Sequence, residues 1–499
     1  MQRQKRIDLS VCFGVAAVFL LILSKNSPLY PLNDWVDVQC FLTVGKGILH
    51  GIVPYQELYE QKGPVLYFFF ALAALLDQHS FVGVFLLETA AVGAFLYYSL
   101  QILRLYLSSS TWLYATLPVL AVMVGTSPAY AHGGSVETLS LWILAYGIYA
   151  VLRALREDRL LRWSESFCIG MGAAAVAYMK FTIAGFYLGL ALFVAIWYLA
   201  YEGKGLELLK TIGWFFAGIG AVSLPVFGYF AVYGAVGDFL TAYFYNNLFL
   251  YPTEVADRWD LIWKCLKNAL SWNTGWALPV QLGLVWMLLR SIRWSKESLA
   301  VLLSFLGLTI GTYWGGRGYT YYGLILAAYA PLGFAALGGV LRWDKVRLPE
   351  QLQHRAVPWA VALAVAAMLL SYGYTQSNNT YLLGEKRENM PQYQFAETIS
   401  QVEDATLLNY GFLDGGFYYA ADVLPSTRFF CTLNISLDEM WQEHRQVIRN
   451  GEVDFVITRK YELSAYGLGS GYICVQSAQY YFEGTEYTYY LYQNVNTLS

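Results

Sequence analysis

The chain has 499 residues, 57% of them hydrophobic and only 13% charged, whereas soluble globular proteins carry roughly a quarter charged residues. That composition excludes a protein soluble along its whole length and calls for an integral membrane protein with some soluble part. A net charge of −3, with no basic stripe along the chain, excludes a nucleic-acid partner.

The chain opens with MQRQKRIDLSVCFGVAAVFLLILSK. A basic flank precedes an apolar run and no small-residue cleavage site follows it, so an uncleaved first span is expected. Crossing a bilayer takes about 20 apolar residues. Runs near 8–24, 81–103, 112–128, 136–152, 183–201, 211–233, 272–290, 297–313, 321–341 and 356–373 qualify. A shorter run at 166–179, ending in YMKFT, pairs with its successor as a helical hairpin, for about eleven spans in all.

Between the first two spans lies a long segment, about residues 25–80. It contains a thirteen-residue apolar run, Pro64 to Leu76, with Glu60 and Lys62 just before it. Runs of 10–14 residues are more often re-entrant or interfacial than spanning. Charge agrees, because cytoplasmic loops carry the excess of Lys and Arg. The basic segments are the N-terminus (Arg3, Lys5, Arg6), Arg153 to Arg162, Arg290 to Lys296 with Arg293, and Arg342 to Arg355 with Lys345 and Arg347. All fall on one side only if Pro64 to Leu76 does not cross. The segment is then a first external loop, and the N-terminus lies inside.

Within that loop, Asp34 and Asp37 open a helix-like stretch. Its apolar residues Val36, Cys40, Val44 and Ile48 recur every four positions, which suits a helix lying against the membrane. Asp37 then sits where the helix dipole favours a carboxylate, with Asp34 one turn earlier. Lys62 reads as a snorkelling lysine or an anion ligand, and Glu60 as a solvated loop charge or a partner for Lys62.

Further along, TSPAYAHGGSVETLSLW forms a short second external loop with Tyr130, His132 and Glu137. Lys180 and Arg317 sit at the outer ends of later spans, Arg317 just ahead of a Tyr cluster that includes Tyr321 and Tyr322. Charges among apolar runs usually face a cavity or a partner, and Arg suits phosphate through its two-pronged donor geometry. Glu88 is the most deeply embedded acid, and no catalytic part is assigned to it. The stretch from Gly234 to Asn268 is amphipathic and aromatic-rich, as interfacial helices are.

From about residue 374 the composition turns polar, with strand-like ATLLNYG, VDFVITR and YTYYLYQN and a helix-like SLDEMWQEHRQVIRNG. This predicts a transmembrane domain over 1–373 and a small extracytoplasmic α/β domain over 374–499. The six cysteines are Cys12, Cys40, Cys168, Cys265, Cys431 and Cys474. They form no CxxC and no Cys/His cluster, so no metal site is expected. Cys431 and Cys474 are left either to pair, if the tail is exported, or to stay as thiols.

The order Asp37, Phe41, Gly45, then GILHGIVPYQELYEQKGP with Gly51, Pro54, Tyr55 and Lys62-Gly63-Pro64 resembles the first loop of the GT-C glycosyltransferases. These polyprenyl-phosphate-sugar-dependent enzymes include the protein O-mannosyltransferases and the lipid A aminoarabinose transferases. The resemblance is specific over residues 34–70 and looser to about residue 200. It implies a polytopic, mainly α-helical bundle of GT-C type. The implied reaction is inverting transfer of a sugar from a polyprenyl-phosphate donor to a cell-envelope acceptor (glycan, lipid or protein) on the outer face of a bacterial membrane. Asp37 takes the place of the catalytic base, with Asp34 as the second choice. Lys62, Lys180 and Arg317 are implied to hold the donor phosphate; Glu60, Tyr55, Tyr59, Glu137 and His132 are candidates to line the site. The family's His-Tyr pair near residue 321 is Tyr321-Tyr322 here. No metal or other cofactor is expected, since the donor carries a single phosphate. Two other readings are a transporter or flippase of lipid-linked sugars and a non-catalytic envelope scaffold. Repeated halves with matching broken helices would mark the transporter, and the chain shows neither.

Overall fold

A computed structural model of the chain describes residues 2–108, 110–252, 256–291, 295–342, 356–482 and 484–497. Arg293, Lys345, Arg347 and Arg355 lie outside the described residues. The helices in chain order are α1 Gln2–Leu23, α2 Val36–Leu49, α3 Pro64–Leu76, α4 Val82–Arg104, α5 Ser110–Gly125, α6 Val136–Arg156, α7 Trp163–Lys180, α8 Gly185–Ile196, α9 Gly205–Val232, α10 Val236–Phe239, α11 Arg258–Trp272, α12 Thr274–Ser291, α13 Lys296–Tyr313, α14 Ala330–Val340, α15 Ala356–Gln376, α16 Pro391–Ile399, α17 Phe417–Ala421 and α18 Asp438–Asn450. The strands are β1 Leu407–Tyr410, β2 Phe455–Arg459, β3 Tyr472–Phe482 and β4 Thr485–Asn494. The fold is mainly helical, with a small sheet near its C-terminal end.

Among the described residues, six helical stretches are long and apolar enough to cross a membrane: Gln2–Leu23, Val82–Arg104, Val136–Arg156, Trp163–Tyr201, Gly205–Val232 and Thr320–Val340. The fourth is 39 residues long, nearly twice what a bilayer takes. It breaks at Lys180, whose backbone turns extended (φ −158°, ψ 98°) before a 3-10 segment, Phe181–Ala184. Gly172 on one side of the break packs against the Tyr187 hydroxyl on the other, where an added Cβ would lie 2.7 Å from it.

The described residues divide into two compact units. The first comprises Met1–Ser27, Phe85–Val226 and Thr253–Thr380; the second comprises Pro28–Val84, Phe227–Pro252 and Tyr381–Ser499.

In the first unit, charge collects at opposite ends of the helices. At the C-terminal end of α6, Arg156 meets Glu297 at 2.6 Å and Arg290 meets the same carboxylate at 3.3 Å. Lys296 pairs with Glu202 at 2.6 Å and Arg159 with Glu165 at 2.7 Å. Arg104, at the end of α4, pairs with Asp8 of α1. At the start of α4, the fully buried Glu88 accepts from Asn26 Nδ2 (3.0 Å), Tyr130 OH (2.8 Å), the Gly134 amide (2.9 Å) and Ser24 Oγ. Four donors onto one carboxylate satisfy it without solvent and hold the 130–134 loop against the ends of α1 and α4.

In the second unit, the C-terminal sheet has the order β1-β2-β4-β3, with β1 parallel to β2 and the other pairs antiparallel. The expected strands and the helix α18 are present. β3 is an addition to the expected strands, and it is one of the sheet's two edge strands, opposite β1. Buried Tyr410, Val447, Ile448, Val456 and Tyr492 form the core between α18 and the sheet. Within this unit the first-loop helices pack tightly: α2 meets α3 where Gly45 lies, and a Cβ there would come 2.6 Å from the Phe70 carbonyl carbon. Gly45→Val therefore forces α2 and α3 apart. Overpacking of this kind costs about 1–3 kcal/mol, to be read as a lowered unfolding midpoint in detergent.

The expectation that α2 lies on the membrane by one face is corrected. Every residue from Asp37 to Gly47 is buried, because α3 covers one side and C-terminal residues cover the other. Thr43 donates to Asp414 at 2.7 Å, Lys46 pairs with Asp422 at 2.7 Å, and Cys40 faces Cys431. α3 behaves differently. Its first turns are buried, while Leu72, Leu75 and Leu76 are exposed. At 1.5 Å per residue it is about 20 Å long, short of a hydrocarbon core of about 30 Å. The 234–268 stretch contains α10, a π-helical segment Leu240–Leu250 and most of α11; α11 shows exposed Trp259 and Trp263, consistent with an interfacial helix.

Asp414 is fully buried within the second unit. It accepts from Thr43, the Gly416 amide (2.9 Å) and Asn409 (3.4 Å). Burial outweighs these three donors and pushes its carboxyl up from 3.8 to about 6. A folded value above the unfolded one means that this group's stability contribution is present below about pH 3.8 and is lost as pH rises through about 6. The difference is on the order of 3 kcal/mol. Asp414→Asn removes that dependence. Hydrogen exchange of the sheet amides, followed from pH 4 to pH 7, should slow less on acidification in the variant than in the wild type.

Candidate functional site

The first-loop charges meet in one place. Lys62 Nζ lies 3.9 Å from Asp37 Oδ2, and both side chains are nearly buried. That separation is a charge contact rather than a hydrogen bond. Lys62 Nζ also sits 5.8 Å from the centre of the Phe41 ring, within reach of a cation–π attraction. Asp37 and Phe41 are four residues apart on α2 and share a face of the helix, so one helical face presents both the carboxylate and the ring to the lysine.

The segment before α3 is built to hold Lys62. Tyr55 has a left-handed backbone (φ 70°), a conformation that costs a non-glycine residue energy and persists only when its surroundings enforce it. Here its ring is fully buried beside Tyr67, Phe230 and Phe239, and its hydroxyl donates to the Lys62 carbonyl at 2.7 Å. The Lys62 amide donates to Glu60 Oε2 at 2.8 Å, and Tyr67 OH donates to the same oxygen. Glu60 is 4% exposed, so the reading of it as a solvated loop charge is corrected. Tyr59 accepts from Asn246 Nδ2 at 2.6 Å and packs on Phe429, ring centres 5.0 Å apart. Glu60, Tyr55 and Tyr59 thus grip the loop's backbone and its neighbours.

Asp34 has another setting. It lies in the extended segment ahead of α2 rather than one helical turn before Asp37. It is buried and accepts from Tyr381 OH at 3.1 Å and Tyr480 OH at 3.2 Å. Tyr480 is on β3, so this carboxylate joins the loop to one edge strand of the sheet. Neither tyrosine is visible as a partner from sequence, since they stand 347 and 446 residues away.

In the first unit the other candidates form a second cluster. Lys180 Nζ meets Glu137 Oε1 at 2.6 Å, with both side chains buried. The same ammonium lies 3.0 Å from the centre of the Tyr322 ring and 5.7 Å from that of Tyr321. His132 packs edge-on to Tyr321, ring centres 5.8 Å apart. Ser135 caps α6 by accepting from the Thr138 amide, which places Glu137 in the helix's first turn. The helix break at Lys180 exposes its ammonium to these partners. Arg317 is half-buried in the connection between α13 and Tyr319, four residues before Tyr321. Tyr321 and Tyr322 stand where the resemblance led us to look for a His-Tyr pair, and they serve the lysine as a ring platform.

No protein-family model and no curated protein matches the chain. Solved structures do. The structure of ArnT from Cupriavidus metallidurans bound to undecaprenyl phosphate aligns over 97% of this chain and 98% of its own, with a TM-score of 0.63 at 12% identity. The same protein in the apo state gives 0.62 at 13% identity, over 96% and 97%. The arabinofuranosyltransferase AftD from Mycobacteria gives 0.52 at 14% identity, covering 97% of this chain and 40% of that one. The chain therefore shares its fold with ArnT over nearly the full length of both chains.

Proposed function

We propose that the chain is an inverting membrane glycosyltransferase that moves a sugar from a polyprenyl-phosphate donor to an acceptor on the outer face of the cytoplasmic membrane. One observation carries the reading: the Asp37 carboxylate, faced by Lys62 beneath Phe41, in a fold shared with a protein that binds undecaprenyl phosphate. The acceptor's hydroxyl or amine gives its proton to Asp37 and attacks the anomeric carbon. The bond from that carbon to the phosphate oxygen breaks on the opposite side, and its electron pair leaves with the lipid phosphate. Configuration at the anomeric carbon inverts. The leaving group is already anionic, so it needs positive charge rather than a general acid. Lys62 supplies that charge next to the base, and Lys180 and Arg317 are assigned to the phosphate by charge and residue type. Donor and protein require no metal in this scheme.

The topology follows from charge. With about eleven crossings and the basic ends of α4 and α6 inside, Glu88, Glu137 and Lys180 lie toward the outer face. The first loop and the C-terminal domain are then extracytoplasmic, where the latter is available to bind the acceptor or a partner.

The test is transfer of radiolabelled sugar from a polyprenyl-phosphate donor in membranes containing the chain. Label should pass into envelope material and depend on the chain. Movement of the donor across vesicles without transfer would replace this reading with that of a flippase.

A further inference from the structure

The second unit contains a cysteine pair to which the reaction assigns no part. Cys40 Sγ on α2 and Cys431 Sγ in the C-terminal domain lie 3.9 Å apart, and both residues are buried. We propose that Cys40 and Cys431 form a disulfide in the exported protein, tying the helix that carries Asp37 to the C-terminal domain. The inference rests on the topology above, because disulfides persist in oxidising compartments and are rare in the cytosol.

The setting supports it. Bonding needs the sulfurs to close from 3.9 Å to about 2.05 Å, a movement of about 2 Å. The surrounding chain is already in place. The Tyr59 amide donates to the Arg428 carbonyl at 2.8 Å, and Arg428 Nε donates to the Tyr55 carbonyl at 3.1 Å. On the other side, His444 Nε2 donates to the Phe429 carbonyl at 2.7 Å, and Tyr418 OH donates to the Phe430 carbonyl at 2.8 Å. Residues 428–431 are thus laced to the first loop on one side and to α17 and α18 on the other, and the two sulfurs lie close across that seam. Cys474, which the sequence offered as the partner of Cys431, is instead exposed on β3 and donates to the Gln476 carbonyl at 3.5 Å.

The chemistry balances with a disulfide oxidant of the outer compartment. Two thiols lose two protons and two electrons as the Sγ–Sγ bond forms. The oxidant's own disulfide takes up both electrons and both protons and becomes a dithiol. Exchange proceeds through a mixed disulfide, which requires an accessible thiolate. Burial pushes both thiols up and closes them to solvent, so the bond forms during folding and is then protected. The two positions are 391 residues apart, and a cross-link closing so long a loop restrains the unfolded chain strongly.

The bond is read by mass mapping of the full-length protein. Cells are blocked with alkylating reagent before lysis, and the protein is denatured, alkylated again and digested without reductant. The expected result is a linked Cys40–Cys431 peptide with the other four of the six cysteines alkylated. In parallel, a membrane-impermeant maleimide on intact cells should label Cys474. Cys474 labelled from outside, with Cys40 and Cys431 both recovered as alkylated thiols, would overturn the disulfide and leave the topology standing. Cys474 reached only after permeabilisation would overturn the topology and the disulfide with it. With reductant present through a cycle of unfolding and refolding, the wild type should fall to the thermal inactivation half-life of the Cys40→Ser, Cys431→Ser double variant, whose own half-life should not change.

Discussion

Asp37→Asn should lower sugar transfer by about 10²- to 10⁴-fold, the range a positioned general base supplies. The amide keeps the shape of the carboxylate, so α2 should retain its packing against α3 and Phe41 its position over Lys62. What is lost is the group that takes the acceptor's proton. Donor binding should survive, because the phosphate is drawn by cations. The deficit should therefore fall on kcat and not on the KM for donor. Lys62→Met should show the converse bias, with weakened donor capture at low concentration and a smaller loss at saturation. Asp34→Asn supplies the control. Its carboxylate is occupied by Tyr381 and Tyr480, so its loss should loosen the junction with β3 and reduce stability more than turnover. Undiminished transfer by Asp37→Asn, with Asp34→Asn inactive but folded, would move the base to Asp34.

The parts of this molecule legible from sequence are those governed by local pattern. Among the described residues, long apolar runs mark the six helical stretches long enough to cross a membrane. The thirteen residues of α3 were too few to cross and flanked by charge, and they form a short helix of that length. Asp37 and Lys62 belong to one loop, and their meeting is a local event in chain terms. Lys180 was legible because an ammonium amid apolar runs needs a partner, and Glu137 is that partner. What escaped was settled by distant chain. α2 reads as one-faced, yet it is buried all round because Asp414, Asp422 and Cys431 arrive from nearly 400 residues away. Glu60 reads as a loop charge because nothing nearby announces that Tyr67 will turn back onto it. β3, YICVQSAQYYF, alternates weakly because it is an edge strand with most of both faces exposed; an edge strand has no buried face to impose a period of two.

The Lys180–Glu137 pair offers the other large effect, and it separates structure from function. Two opposite charges 2.6 Å apart and out of solvent are costly to break. Removing one partner leaves the other buried and uncompensated, a penalty of about 3–5 kcal/mol, whereas replacing both can be near neutral. Lys180→Met and Glu137→Gln alone should each lower the unfolding midpoint in detergent. The double variant should recover most of that loss, since Tyr321 and Tyr322 then pack on an apolar methionine stem. Transfer should follow a different order. If Lys180 serves the donor phosphate, the refolded stability of the double variant restores nothing, and activity stays about 10²- to 10³-fold down, the scale for losing one stabilising charge at a developing anion. A double variant that is both stable and fully active would reduce the pair to a brace across the break between α7 and α8. Lys180 would then lose its assignment to the phosphate. Arg317→Lys tests the assignment of Arg317, because it keeps the charge but loses the fork that grips a phosphate through two oxygens.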